Sequence, residues 1–253
     1  LDWVRWKGDD RLVIGATTAL VEEGRAPTGQ IMKQKDRTYR ISRVFAIGPD
    51  GRNLVQMFQG QLSQLAGGWG STLLLDALPG DPAHVMISAI DNSGFGAWKA
   101  DVMTGKAERV ANGDWQTADY ATDGAGYPVM RFDETRNVRK IFRRASGAEA
   151  WIPAGEVRRW MNIGSPDFTP IGPGPKANQV YVLARHKNTE RAALHLYDTS
   201  TGAFGDPLFA GAEADAAPPW IDPSTRAVIA TCEFATRLAC RTVDSKLQKY
   251  VNA

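Results

Sequence analysis

Asp101-Val-Met-Thr-Gly-Lys-Ala-Glu-Arg-Val110 reads as the end of one strand, a polar turn and the start of the next. The unit recurs. Asp198-Thr-Ser-Thr-Gly202 is the nearest copy, and each follows an alternating run, Trp98, Ala100 and Val102 in one case and Leu194 and Leu196 in the other. Ile47-Gly-Pro-Asp-Gly51, Arg144-Ala-Ser-Gly147 and Asp244-Ser-Lys246 occupy the same place less faithfully. The turns fall near positions 51, 105, 147, 202 and 245, at intervals of 54, 42, 55 and 43 residues. An imperfect period of this length, with one hairpin-rich unit per repeat, is the sequence signature of a β-propeller, whose four-stranded blades bury their faces against their neighbours.

The fold class expected is therefore all-β, a β-propeller of about five blades, with repeats near 1–60, 69–113, 116–157, 160–213 and 216–253. The first repeat pairs Asp2-Trp-Val-Arg-Trp6 with Arg11-Leu-Val-Ile14 across Lys7-Gly-Asp-Asp10. Residues from about Thr18 to Asp36, rich in Gly, Pro, Gln and Lys, predict a long loop before alternation resumes at Tyr39, at the rim where functional loops concentrate. Asp91-Asn-Ser-Gly-Phe-Gly96 predicts a loop, Asp123-Gly-Ala-Gly126 and Asp222-Pro-Ser-Thr225 predict turns, and Gly172–Asn178 predicts a turn feeding the strand Val180–Ala184. A propeller closes by pairing its first and last blades, and an unclosed one leaves strand edges to cover. Five units ending at Ala253 either close as a small propeller or, the favoured reading, are part of a larger one whose native chain continues, and the start at Leu1 rather than Met reads as a processing boundary.

Bulk composition narrows the function classes. With 253 residues and 43% hydrophobic content the chain can build a substantial core. A formal net charge of +2 with acids and bases interspersed gives no argument for nucleic acid as a partner. The basic clusters Lys33, Lys35, Arg37, Arg40, Arg43 and Arg136, Arg139, Lys140, Arg143, Arg144 read as solvated strand faces. No apolar run of membrane-spanning length and no signal-peptide pattern is present.

Candidate chemistry is sparse. Cys232 and Cys240, eight apart, suit a hairpin that places them opposite each other as a disulfide; the alternative is two small buried thiols in a reducing compartment. Neither this pair nor the three histidines, His84, His186 and His195, has metal-ligand spacing, so no metal and no cofactor is expected. His195, alternating with Leu194 and Leu196, reads as an ordinary residue on the opposite strand face. No Gly-x-Ser-x-Gly nucleophile elbow exists, and Asn92–Gly96 and Ile163–Pro166 are turns, so no catalytic residue is assigned. Gly67–Gly70 and Gly172–Gly174 are too short for a phosphate loop. The eight tryptophans, near repeat starts and strand ends, read as packing between blades. Glu22 and Glu23 in the first-blade insertion are a weak candidate for gripping a cationic amino terminus.

In order, Trp6–Val13, Tyr39–Ile47 with Pro49-Asp-Gly51, Trp98–Val110, Thr122–Gly126, Trp151 and Leu196–Gly202 resemble the amino-terminal propeller of bacterial prolyl-oligopeptidase-type serine peptidases. The likeness spans nearly the whole chain, and the order and spacing carry it, since each turn alone is common among propellers. It implies a non-catalytic domain that gates access to an α/β-hydrolase domain lying outside this chain, with that domain and the parent's short peptide substrates as partners. It also implies export to the periplasm or beyond, which suits a disulfide. The alternative is a free-standing propeller that recognises a protein or envelope component, as the carboxy-terminal propeller of translocation proteins does. A propeller enzyme using a central channel is disfavoured, because no cluster of His and acids recurs at equivalent positions.

Overall fold

A computed structural model describes residues 1–22, 37–65, 72–148, 150–158, 168–187 and 189–251. Strands β1 (Trp3–Lys7), β2 (Arg11–Glu22), β3 (Arg37–Ile47) and β4 (Val55–Gln56) form the first antiparallel sheet. The second holds β5 (Leu73–Asp76), β6 (His84–Asp91), β7 (Gly94–Asp101) and β8 (Ala107–Asn112). The third holds β9 (Thr117–Thr122), β10 (Pro128–Glu134), β11 (Val138–Arg143) and β12 (Ile152–Arg158). In the fourth are β13 (Phe168–Pro173), β14 (Gln179–Ala184), β15 (Ala193–Asp198) and β16 (Phe209–Ala210). The fifth has three described strands, β17 (Ala216–Ile221), β18 (Val228–Phe234) and β19 (Leu238–Thr242), followed by a 3-10 turn at Ser245–Leu247 and the single-turn helix α1 (Gln248–Val251). The fold is an all-β, five-bladed β-propeller. It divides into two compact units, Leu1–Thr117 with blades one and two and Ala118–Ala253 with the rest.

Alternation explains both units. In the first, Val13, Val44 and Ala46 of blade one meet Val85, Ile87, Trp98 and Ala100 of blade two, with Met57 and Phe58 filling the seam. Phe58 and Trp98 pack edge to face, centroids 5.3 Å apart, a geometry that adds roughly 1 kcal/mol to area burial. In the second, successive residues of β14 serve opposite neighbours. Val180, Val182 and Ala184 pack towards Val129, Met130 and Phe132 of blade three, while Tyr181 and Leu183 pack with Ala216 and Val228 of blade five.

The repeated turn has one construction. Asp101 Oδ1 accepts the N–H groups of Met103 and Thr104 at 2.7 and 3.0 Å, and Gly105, at φ +71°, returns its N–H to the Asp101 carbonyl. Asp198 does the same for Ser200 and Thr201, with Gly202 at φ +80°. Both turns join the third and fourth strands of a blade. Asp222 builds the same turn between β17 and β18, with Arg226 in the positive-φ place at +59°. Sequence reading placed a turn there without seeing this copy, because an arginine stands where glycine is expected.

A buried lysine ties blades one and two. Lys7, 2% exposed, donates from Nζ to the carbonyls of Ala77 and Leu78 at 2.5 and 2.7 Å. Burial lowers its ammonium to about 8, against the pull of Asp81 and Asp76.

Several local expectations change. The loop expected from Thr18 is strand as far as Glu22, and Arg37 already begins β3, in register with Glu22; the tip between them lies outside the described residues. Asp91–Gly96 is no loop either: β6 pairs with β7 through Asp91↔Gly94, leaving Asn92 and Ser93 as a two-residue turn whose Ser93 N–H is held by Asp91 Oδ1 at 2.8 Å. Of the basic residues expected on solvated faces, Arg144 is buried and Arg139 and Arg143 are partly exposed, and all three have protein partners. Arg139 pairs with Glu134 at 2.6 Å, Arg143 donates to the carbonyls of Thr199 and Ser200, and buried Arg144 donates to the Pro128 carbonyl and stacks on Trp151 at 4.2 Å. Arg136 and Lys140 remain exposed; Lys33 and Lys35 lie outside the described residues. Among the tryptophans Trp98 is in the core and Trp3 packs against it, but Trp6, Trp115 and Trp220 are 60%, 68% and 45% exposed, so packing does not account for those three. Trp69 and Trp160 lie outside the described residues.

Candidate functional site

Blade four holds an open pocket of about 510 Å³ between two connections that flank β15. One wall comes from the β14–β15 hairpin loop, with His186, Thr189 and Arg191; the other from the run into β16, with Phe204, Asp206 and Pro207. Ala193 and His195 on β15 contribute from the strand between them. Register explains the convergence. β14 pairs with β15 through Ala184↔Ala193 and Val182↔His195, so the residues just past Ala184 and just before Ala193 rise together above the side chain of His195.

The rings form one cluster. His186 lies flat on Phe204, centroids 4.2 Å apart and planes inclined by 17°. His195 meets Phe204 edge to face at 5.6 Å, and Phe204 meets Tyr197 and Phe168 in the same way at 5.1 and 5.9 Å. Phe204 is held from behind by the blade core, since Tyr197 belongs to the cluster that packs on Val129, Met130 and Phe132.

His195 is the polar feature of the pocket. It is 4% exposed, and its Nδ1 lies 3.0 Å from the Gly205 carbonyl. A carbonyl only accepts, so Nδ1 carries a proton, and in the neutral imidazole Nε2 then presents a lone pair. Nε2 has no protein partner among the described residues. Burial, with Lys187 and His195 beside it, lowers the His186 imidazole below its ordinary range, so His186 is a neutral ring at neutral pH. Glu190, Asp206, Lys187 and Arg191, all exposed, place charges of both signs round the mouth.

His195 stands on the face of β15 opposite Leu194 and Leu196; that face is covered as well, and the imidazole, 4% exposed, lines the pocket. His84 lies elsewhere, in blade two, where Asp81 binds its Nδ1 at 3.0 Å and Lys99 at 2.8 Å. Burial pushes the Asp81 carboxyl up, and the hydrogen bonds from Lys99, His84 and the Ala83 N–H more than offset it, leaving Asp81 well below the usual range. Cys232 and Cys240 are directly opposite on β18 and β19, Cα atoms 4.1 Å apart, and are joined as a disulfide. Glu22 ends β2, and Glu23 lies outside the described residues together with Gly67–Gly70 and Ile163–Pro166. Among the described residues no group of three or more His, Cys, Asp or Glu could hold a metal ion, and no helix is long and apolar enough to cross a membrane.

The five-sheet architecture and the repeated strand-three to strand-four turn define a β-propeller domain with a pocket in one blade. No family model and no curated protein matches the chain. Among solved structures it is similar to TolB from Acinetobacter baumannii, with a TM-score of 0.52 and 10% identity over 96% of this chain and 52% of that one. The chain spans about half the length of that protein.

Proposed function

We infer that this chain is a non-catalytic recognition module, a propeller that holds polypeptide at its blade-four pocket. The observation behind this is the pocket itself: a concave, ring-walled space of about 510 Å³ lined by the His195 imidazole, with charges of both signs at its mouth. Such a space takes a large side chain while the rim meets flanking backbone and charged residues. The propeller fold shared with TolB supports the free-standing form of this reading, in which the partner is a protein or envelope component. Panning a random dodecapeptide phage library against the protein tests it. Enriched peptides should lose at least tenfold affinity for an Ala210→Trp variant, whose ring fills the mouth from an exposed position on β16. No enrichment, or enrichment indifferent to that variant, defeats the reading.

A second reading, a propeller gating a serine peptidase, is favoured by the order of Trp6–Val13, Trp98–Val110 and Leu196–Gly202 in the sequence. In it the domain works by exclusion, admitting short or flexible peptides to a hydrolase domain as the two move apart. Reading the native gene beyond the Ala253 codon decides between them. Further sequence leading to Gly-x-Ser-x-Gly with a later Asp and His selects the gate, and an immediate stop codon removes it.

A further inference from the structure

The blade-four pocket shows more than a capacity to bind. Three features restrict what fits. Its walls are rings and small apolar groups: the stacked pair His186 and Phe204, then Ala193, Pro207 and Ala210. Phe204 cannot swing away, because Tyr197 and Phe168 brace it edge to face. The wall is therefore preformed, and a flat aromatic guest meets it without reordering.

The second feature is His195. Its Nδ1 proton is committed to the Gly205 carbonyl, so in the neutral ring its Nε2 accepts and does not donate. The imidazole is 4% exposed and lines the pocket, and Nε2 has no donor among the described residues. Nε2 is not among the fully buried unpaired atoms, so it opens on the pocket; a guest that covers it without supplying an O–H or N–H leaves a desolvated acceptor unpaired, which is costly. The third feature is position. Lys187, Glu190, Arg191 and Asp206 stand at the mouth, and the acceptor lies beneath them, so the donor sits at the inner end of the guest.

We propose that this pocket selects an aromatic ring bearing a hydrogen-bond donor, the chemistry of a tyrosine or tryptophan side chain, with His195 Nε2 as the acceptor that distinguishes it from a plain aromatic ring. The inference rests on the reading of the pocket as a recognition site and adds the class of side chain recognised. A site built to bond a hydroxyl or an N–H rejects the analogue that lacks it far more strongly than a purely apolar pocket does.

The test uses small probes in place of an unidentified partner. The protein with 13C,15N-labelled histidine is titrated separately with p-cresol, 3-methylindole and toluene to about 10 mM, the range in which ligands of this size are read. The expected result is saturable movement of the His186 and His195 ring resonances, the His195 Nε2 signal moving as a lone pair that accepts a proton does. Either p-cresol or 3-methylindole should bind at least tenfold tighter than toluene. His195→Phe keeps a ring and should erase that preference while toluene still binds; if the variant fails to fold, the wild-type preference decides alone. Equal affinity for toluene and both donors, a donor preference that survives His195→Phe, or no movement of the two histidines overturns the proposal. If the probes bind as expected but no peptide is selected by panning, this inference stands and the polypeptide reading fails. If peptides without Tyr or Trp are selected at the same pocket, the polypeptide reading stands and this one falls.

Discussion

The guanidinium of Arg226 lies against Gly124, donating from Nη2 to the Gly124 carbonyl at 2.5 Å and from Nη1 to that of Asp123 at 2.9 Å. The Arg226 carbonyl in turn accepts from Tyr181 Oη at 2.9 Å, so one residue of blade five fastens blades three and four. A Cβ at position 124 would overlap the guanidinium, and Gly124 has φ +75°. Gly124→Ala should therefore destabilise the protein by about 2–4 kcal/mol, adding left-handed strain to the displacement of two charge-assisted hydrogen bonds. Urea unfolding measures it, and an unchanged midpoint would show that Arg226 does not fasten the blades.

Lys7 gives a prediction on the alkaline side. Its ammonium is lowered to about 8 in the folded chain and titrates near 10.5 when exposed, so between these values the unfolded chain binds the extra proton. Stability should thus rise with pH from about 8 towards 10, by roughly 1–3 kcal/mol. Above 10 the trend is opposed, because burial raises the Tyr181 and Tyr197 hydroxyls and the folded chain then holds more protons. Lys7→Met should remove the rise and leave the Ala77 and Leu78 carbonyls without their donor, a loss of about 2–4 kcal/mol at pH 7. Denaturant midpoints across pH 7–10 for both proteins are the measurement; parallel curves would refute the assignment.

How much of this was legible in the sequence differs between frame and site. The Asp-x-x-Thr-Gly turns fixed the blade period because their chemistry is local: one carboxylate oxygen takes two N–H groups two and three residues on, and a glycine supplies the positive φ. Asp222 follows the same rule, and the arginine at position 226 hid it. The pocket was not legible for two reasons. His195 alternates with leucines, which in a one-sided sheet would put it in water; within a blade both sheet faces are covered, so alternation separates two interiors. His186 and Phe204 are stacked although 18 positions apart, on loops whose approach depends on how β14, β15 and β16 pair. The one available signal was that two of three histidines bracket a single hairpin.

The Cys232–Cys240 disulfide crosses β18 and β19 next to an edge that α1 covers, where Gln248 bonds the Thr242 N–H at 2.9 Å and the Cys240 carbonyl at 3.0 Å. The closed loop is short, so the Cys232→Ser, Cys240→Ser double variant should lose only about 2–3 kcal/mol. Thiol titration of the denatured, unreduced protein should find no free thiol. Two free thiols would remove the bridge.

Asp198 sets the acid side. The Ser200 hydroxyl and the N–H groups of Thr201 and Ser200 bond its carboxylate and outweigh burial, so its pKa falls below the ordinary 3.8. A carboxyl lowered on folding contributes stability that is fully present above its unfolded value and is lost as pH falls through the folded one. Asp198→Asn keeps an oxygen to accept from Ser200 and Thr201 but has no charge to lose. At pH 7 the variant should be less stable by about 1 kcal/mol, the difference between charge-assisted and neutral hydrogen bonds. As pH falls below the ordinary carboxylate value and then through the lowered folded one, the wild-type carboxyl takes up its proton and the gap should close. Thermal midpoints of both proteins from pH 6 to pH 2 measure this. A gap that stays constant through the acid range would mean that the turn is held by its backbone geometry alone and that the Asp198 charge contributes nothing to it.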